Sequence, residues 1–453
     1  MKNTDLVIDN NAKINNALKL LEKNTKGFIL VEDESKSIIG VITDGDIRRN
    51  FLKGGKLEDN VMSCVNLDFT KGSVETPKEL LLKKLDQNIK FIPILDSKNR
   101  LIRVITKNYI PINKEKNVYY RSKSPVRISF GGGGSDTSLF FLKNKGAVIN
   151  TTVSLFTHSI LKIRSDSKII FNSNDLNDSI QFSNIEEMIN YDGKFGLIKS
   201  IIQAVNPKYG FELYIDSDYP MNSGLGGSAV VASSILGCFN QLRIDKWDQY
   251  EISEIAYQAE RLHLGVHGGW QDQYATVFGG LNFMEFNKKQ NIINPIRLSN
   301  DIMLQLEDSL VLCYTGTTHD SGNIHLDQKK KTKEKDVNNR IIKNVELTYV
   351  MRNLLLKGKL DQFGKCLDMA WQLKRSFSSK ISNKFLNNVY DEALKNGAYG
   401  GKLLGAGGGG YFLFYCSSNN RNRLINWINK SKLTYTPISF DNKGLQSWTV
   451  RNE

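Results

Sequence analysis

Cysteine is scarce and unpatterned in this chain. Cys64, Cys238, Cys313, Cys366 and Cys416 are scattered, odd in number, and form no Cys-x-x-Cys or zinc spacing. A disulfide framework is excluded on that pattern, and a reducing cytoplasm is the expected location. There is no His-Glu-x-x-His. His263 and His267 stand four apart, but Gly265 interrupts the helix between them, so no zinc pair is expected. No apolar run is long enough to span a bilayer, and the polar N-terminus lacks a signal-peptide pattern; no membrane partner is expected. Acidic residues number 47 against 61 basic ones, a formal charge of +14. The excess is mostly dispersed lysine, with one dense run over 329–333 that reads as a solvated loop. No recognition motif accompanies the charge, so nucleic acid is not expected as a partner, whereas an anionic small substrate suits the balance. What the chain does have is 453 residues, enough for about three domains, and 40% hydrophobic content, enough for true cores.

Glycine is concentrated where chemistry is expected. Pro220 to Ala229 reads Pro-Met-Asn-Ser-Gly-Leu-Gly-Gly-Ser-Ala, between an apolar strand, Phe211 to Ile215, and a small-residue helix, Ala229 to Leu242. Gly224, Gly226 and Gly227 allow positive φ and close approach of a ligand to the backbone. At a helix N-terminus such a loop offers free N–H groups and partial positive charge, which suits phosphate. Ser228 would place a hydroxyl beside a phosphate-bound Mg²⁺. The common P-loop is excluded, because no lysine follows Gly227. Taken alone, the stretch is either a tight turn or a phosphate cradle.

The first hundred residues repeat. Phe28 to Val31 leads through a polar turn to Gly40-Val41-Ile42-Thr43-Asp44-Gly45-Asp46, and Phe91 to Ile94 leads likewise to Arg103-Val104-Ile105-Thr106, 63 residues further on. Helical stretches, Ile14 to Leu21 and Pro77 to Leu85, accompany each copy. Neither unit could bury its faces alone, so the two are expected to pack as a pair. This resembles a CBS-domain pair over 1–113. The resemblance implies a site for an adenine nucleotide or nucleotide-sugar at Thr43 and Asp46, and implies a homodimer. In the second copy Arg103 replaces the glycine and Tyr109 the aspartate, so at most one such site is complete. A pair kept for dimerisation or scaffolding remains the other reading. A short linker, Ile110 to Val118, follows.

Ser124 to Phe130 reads as a strand running into Gly131-Gly132-Gly133-Gly134-Ser135-Asp136. Asp136 could accept hydrogen bonds from sugar hydroxyls or cap a helix starting near Thr137. Gly146 to Leu161 is a long β-type stretch. Gln249 to His263 reads as one helix with an apolar stripe of Ile252, Ile255, Ala256, Ala259 and Leu262. Glu260, near its C-terminal end, is disfavoured by the helix dipole, so a cation or an ordinary salt bridge is expected beside it. Asp272, after Gly268-Gly269-Trp270-Gln271, would sit at the head of a helix, where a carboxylate could take a proton from a hydroxyl. Gly405, Gly407 and Gly410 satisfy Gly-x-Gly-x-x-Gly, but a helix, Asn383 to Asn396, is expected before them and a strand, Tyr411 to Tyr415, after. That is not the strand-then-helix order of a dinucleotide site; these glycines suit a loop packed against another backbone.

The loop at Pro220, the Gly-x-x-Asp-Gln turn ending at Gln273 and the late glycines, in that order, resemble the GHMP sugar- and isoprenoid-kinase family over about Tyr119 to Glu453. The resemblance implies an α+β chain: after the CBS pair, a ribosomal-S5-like N-domain (118–298) and a ferredoxin-like C-domain (299–453), with the active site in the cleft between them. It implies ATP and Mg²⁺. Pro220, Ser223, Gly224, Leu225, Gly226, Gly227, Ser228 and Ala229 then match the ATP loop, Ser228 and Glu260 the Mg²⁺ ligands, Asp272 the catalytic aspartate and Arg127 its partner. Gly133, Gly134, Ser135 and Asp136 match the sugar site. The loop departs at Gly227, where many members have serine. The wording of Phe130 to Asp136, Gln271 to Phe286, Ser378 to Asn383, Gly400 to Gly410 and Gly444 to Trp448 is most like that of heptose 7-phosphate kinases, which phosphorylate the anomeric hydroxyl of a sugar already carrying phosphate. Such a substrate needs cations. Lys374, Arg375 and Lys380 form the best cluster, unless they are only a solvated helix end. The other readings are a kinase of a free sugar, such as fucose or galactose, and a nucleotide-sensing regulator with an inactive kinase domain.

Overall fold

The front repeat folds as two copies of one strand arrangement. In the computed structural model, which describes residues 5–73, 76, 89–106, 118–266, 268–317 and 335–451, strand β1 (Val7–Asp9) lies parallel to β2 (Phe28–Glu32), and β2 is antiparallel to β3 (Ile38–Thr43). Strand β4 (Gly72–Ser73) lies parallel to β5 (Phe91–Leu95), itself antiparallel to β6 (Leu101–Thr106). The ladders bulge at equivalent places, Val31/Glu32 and Ile94/Leu95. Phe28 and Phe91 stack at 3.7 Å between centroids, and Leu30, Ile38, Val41 and Leu95 share one buried cluster. Each copy therefore covers the apolar face the other cannot cover alone. Helix α1 (Ile14–Asn24) buries Ile14, Ala17 and Leu21. Helix α2 (Asp44–Leu52) opens on a reciprocal capping box: Thr43 Oγ1 accepts from Asp46 N, and Asp46 Oδ2 accepts from Thr43 N at 2.8 Å. The expected helix Pro77 to Leu85, Tyr109, nearly all of the 110–118 linker, His267 and the 329–333 lysine run lie outside the described residues.

The chain separates into two compact units, Met1–Asn113 and Lys114–Glu453. The second is built on two long antiparallel strands, β7 (Val118–Gly131) and β8 (Gly146–Ile163). Sheet order continues through β9 (Ile169–Ser173), β10 (Asp178–Phe182), β11 (Phe211–Ser217), β12 (Asn282–Phe286) and β13 (Asn291–Pro295) as β10-β9-β11-β8-β12-β13. Strand β8 is long enough to pair with β11 over its second half and β12 over its first. Its first eight residues are all buried, which explains their unbroken apolar and small-polar character. A second sheet uses β14 (Leu310–Tyr314), β15 (Ala398–Leu403), β16 (Tyr411–Cys416) and β17 (Thr434–Thr436) in the order β15-β16-β14-β17, and β18 (Gln446–Arg451) returns to β7. One apolar cluster runs from Val126, Ile128 and Phe130 through Met351, Phe363 and Trp371 to Phe412 and Phe414. It fixes the second sheet and its helices against the end of β7. Among the described residues, no helix is long and apolar enough to cross a membrane.

Two expectations change here. Strand β15 falls between the Lys384–Lys395 helix and the late glycines, so those glycines close a β-hairpin. Its Gly-Gly pair hid the strand pattern; no helix opens after the glycines, so the dinucleotide reading stays excluded. The Gln249–His263 helix is α-helical only to Gln258 and then makes a π-helical turn over Ala259–His263, with Leu264 N donating to Ala259 O at 3.1 Å. The wider turn rotates the later side chains. Glu260 is turned inward and is 1% exposed, whereas Leu262, expected in the apolar stripe, is 73% exposed.

Candidate active site

Arg127, buried near the end of β7, joins three elements. Its Nε and Nη2 donate to Asp272 Oδ1 and Oδ2 at 2.8 and 2.7 Å, a bidentate pair, and its Nη1 donates to Gly224 O at 2.8 Å. Asp272 lies on the first turn of the Gln271–Phe278 helix, where the helix dipole favours a carboxylate. Gly226 caps the Gly227–Leu242 helix at φ +80°, and a Cβ there would stand 3.1 Å from Arg127 Cζ and 3.2 Å from Asp272 Oδ2. The glycine loop is thereby held directly over the Arg127–Asp272 pair, with the helix N–H groups facing the same space.

The late glycines supply the backing of this loop. Gly405, at φ +66°, is so close to Gly224 that a Cβ would lie 2.5 Å from Gly224 Cα. Tyr411 N donates to Ser223 O at 3.1 Å. Lys374 Nζ holds the same turn by donating to Leu403 O at 2.8 Å and Gly405 O at 2.5 Å. Burial, with Lys402 and Arg127 close by, depresses the Lys374 ammonium well below the usual lysine range. Lys402, on β15, is 4% exposed. Burial and the nearby Arg127 bring its pKa down to about 7.

Asp136 is also buried. Its carboxylate accepts from Gln271 N at 3.1 Å and Gly134 N at 3.2 Å. Burial, and then the charge of Asp272, push its pKa up. It is not a helix cap: the short Ser138–Phe141 helix has Thr137 at its N-cap. Glu260 receives hydrogen bonds from the Ser228 hydroxyl and the Gln273 amide, and Arg261 Nη2 stands 3.9 Å away. Burial raises its pKa too.

These groups surround one cleft of about 470 Å³, large enough for a phosphorylated small molecule. Arg127, Gly133, Gly134, Asp136, Ser223, Gly224, Gly226, Gly227, Ser228, Asp272 and Lys374 line it. Other expected residues fall elsewhere. Leu225 and Ala229 are buried in the apolar core, where the Gly227–Leu242 helix is covered on nearly every side, and Pro220 is exposed outside the lining. Ser135 is buried, its hydroxyl donating to Gly132 O at 2.7 Å and Ala147 O at 3.0 Å, so it fastens the glycine turn to β8 rather than facing the cleft. Arg375 and Lys380 are exposed and outside the lining: Arg375 ends the Leu360–Arg375 helix on a face away from the cleft, and Lys380 lies in the turn beyond that helix. Glu260 is not itself in the lining; it lies behind Ser228. Thr43 and Asp46 belong to the first unit, engaged in the capping box described above. Sequence reading missed Lys402, Asn344 and Arg261, all of which line the cleft. For Lys402 there was a signal: a lone lysine between Gly-Gly and Leu-Leu in a run with no other charge.

Comparison with known proteins gives matching results. Residues 196–280 match the GHMP kinases N terminal domain, 351–431 the GHMP kinases C terminal domain, and 1–53 the CBS domain. The chain is 35% identical over 336 residues to the D-glycero-alpha-D-manno-heptose 7-phosphate kinase of Campylobacter jejuni, covering 73% of this chain and 99% of that protein. It is 26% identical over 321 residues to the L-fucokinase/L-fucose-1-P guanylyltransferase of Bacteroides fragilis, covering 64% of this chain and 34% of that protein. The solved structure of a D-glycero-D-manno-heptose 1-phosphate kinase from Bacteroides thetaiotaomicron superposes with a TM-score of 0.61 at 27% identity, over 74% of this chain and all of that one.

Proposed function

Since the chain belongs to the GHMP kinase family and is an ATP-dependent sugar kinase with a CBS domain in front, we propose that it transfers the γ-phosphoryl group of ATP to the C1 hydroxyl of D-glycero-D-manno-heptose 7-phosphate. The product is the 1,7-bisphosphate, an intermediate suited to nucleotide activation of a heptose for cell-surface polysaccharide. The observation that carries the reading is the Arg127–Asp272 pair set against the Gly226 helix terminus inside one cleft. The named activity of the 35% identical relative supports the acceptor.

In this reading the C1 oxygen forms a bond to the γ-phosphorus as the bond from that phosphorus to the β,γ-bridging oxygen breaks. The bond's electron pair leaves with ADP, and the hydroxyl proton passes to Asp272. Arg127 holds both Asp272 oxygens in place through its bidentate hydrogen bonds. The backbone N–H groups after Gly226 face charge on the phosphates. Asp136 accepts from a sugar hydroxyl, held in place by Gln271 N and Gly134 N. The Glu260 carboxylate, the Ser228 hydroxyl and Gln273 Oε1, which is buried with no hydrogen-bond partner, form an oxygen-only set that fits Mg²⁺. That ion would neutralise phosphate charge when bound. Thr43 and Asp46 would serve an adenine nucleotide or nucleotide-sugar in the front unit, and the assembly would be a cytoplasmic homodimer.

Product analysis tests the reaction. After turnover with MgATP, ³¹P NMR is expected to show a new phosphorus coupled to the anomeric proton beside the retained 7-phosphate. A new phosphorus on any other carbon would overturn the assignment. Asp272→Asn is expected to lower kcat by about 10²- to 10⁴-fold; a near-normal kcat would remove proton abstraction from its role.

A further inference from the structure

Three cations converge at the transfer end of the cleft: Arg127, Lys374 and Lys402. Asp272 is the carboxylate facing them, and it is occupied bidentately by Arg127. Lys374 has two carbonyl acceptors, Leu403 O and Gly405 O. The Lys402 side chain makes no hydrogen bond or ion pair among the described residues, although the residue is almost wholly buried and lines the cleft. A buried ammonium without a partner is costly. This one is held in place by β15, whose ladder to β16 pairs Lys402 with Leu413 and runs straight into the Gly405 contact with Gly224. The same strand therefore sets both the height of the phosphate loop and the position of the lone cation.

We propose that Lys402, with Lys374 beside it, is a catalytic cation that receives the phosphoryl group during its transfer, in the same cleft as the loop N–H groups. The proposal rests on the kinase reading above and adds a residue to it. The placement favours the transferred phosphate over the sugar's own. Arg127 is a neighbour of both lysines and Asp272 of Lys374, so both are near the C1 end of the acceptor, whereas a 7-phosphate is at the other end of the sugar. As the γ-phosphorus loses its bond to the bridging oxygen and gains one to the C1 oxygen, its three equatorial oxygens keep their negative charge throughout. Lys402 donates N–H bonds to them and transfers no proton.

The test is steady-state kinetics of the full chain carrying Lys402→Gln, together with binding of MgADP and of MgADP with tetrafluoroaluminate, a mimic of the planar phosphoryl group. The expected result is a fall in kcat of about 10²- to 10³-fold, the range for loss of one transition-state donor. KM for ATP and for the sugar phosphate should stay within about threefold. MgADP should bind as in the parent, and the fluoroaluminate complex should weaken by a factor similar to the loss in kcat. A raised KM for the sugar phosphate at unchanged kcat would instead assign the lysine to the 7-phosphate and overturn the proposal. Unchanged kinetics, or a variant that melts at lower temperature with proportionate loss of all binding, would leave Lys402 a purely structural residue and also overturn it. Absence of turnover in the parent chain with any sugar would refute the kinase reading itself, a separate outcome.

Discussion

Arg127 and Lys402 are both buried cations, and they meet burial in opposite ways. Arg127 is matched by Asp272 and by the Gly224 carbonyl, which suits a planar guanidinium that cannot deprotonate. Lys402 is unmatched, and its pKa falls on folding from the usual 10.5 to about 7. The sign of the consequence is fixed. Below pH 7 the ammonium is charged in both the folded and unfolded chain, and the full cost of burying it is present. Between pH 7 and 10.5 the unfolded chain holds a proton that the folded chain lacks, so stability rises with pH through that window. Lys402→Met is therefore expected to raise Tm by several degrees at pH 6.5, with the gain shrinking toward pH 10. Thermal melts at the two pH values check this, and a gain that grows with pH would contradict it. The same balance makes Lys402 a site maintained at a cost to stability, as functional positions commonly are.

At the scale of elements, three backbone features make the site: the Gly226 helix terminus, the Gly405 hairpin turn and the π-helical turn at Ala259. The first two were legible in sequence as glycine clusters, because only glycine combines positive φ with backbone-to-backbone contact; Gly405 against Gly224 is such a place. Gly405→Ala is expected to push the two loops apart, raise KM for ATP at least tenfold and lower Tm by a few degrees. A KM within twofold of the parent would mean the hairpin does not set the loop's position. The π turn was not legible, because a 3.6-residue stripe assumes regular winding. One residue of extra width put Glu260 inside and Leu262 outside. Strand β15 was not legible either: Gly400 and Gly401 carry no β-type side chain, and their strand character comes from pairing with Phe414 and Tyr415. Lys402 went unassigned along with that strand.

At the scale of the molecule, the front unit and the kinase unit have separate cores. The Campylobacter jejuni relative is matched over 99% of its length by about three-quarters of this chain, so a kinase of this kind exists without the front repeat. Residues 118–453 alone are expected to fold and to keep kcat within about tenfold of the whole chain. Folded protein with a far greater loss would make the CBS pair part of the catalytic assembly. The internal repeat was readable because its pattern recurs every 63 residues, down to the stacked Phe28 and Phe91. The domain order was readable because each motif keeps its place along the chain. Of the cleft's cations, Arg127 and Lys374 were named from the sequence and Lys402 was not, because the set is assembled from three separate segments.

The most direct test of the central claim is ADP release by the purified chain with MgATP, comparing D-glycero-D-manno-heptose 7-phosphate with the same heptose lacking phosphate and with free fucose and galactose. Turnover is expected with the 7-phosphate, and at most about a hundredth of that rate with any unphosphorylated sugar. Faster turnover of a free sugar would contradict that claim, keeping the family and discarding the phosphorylated acceptor.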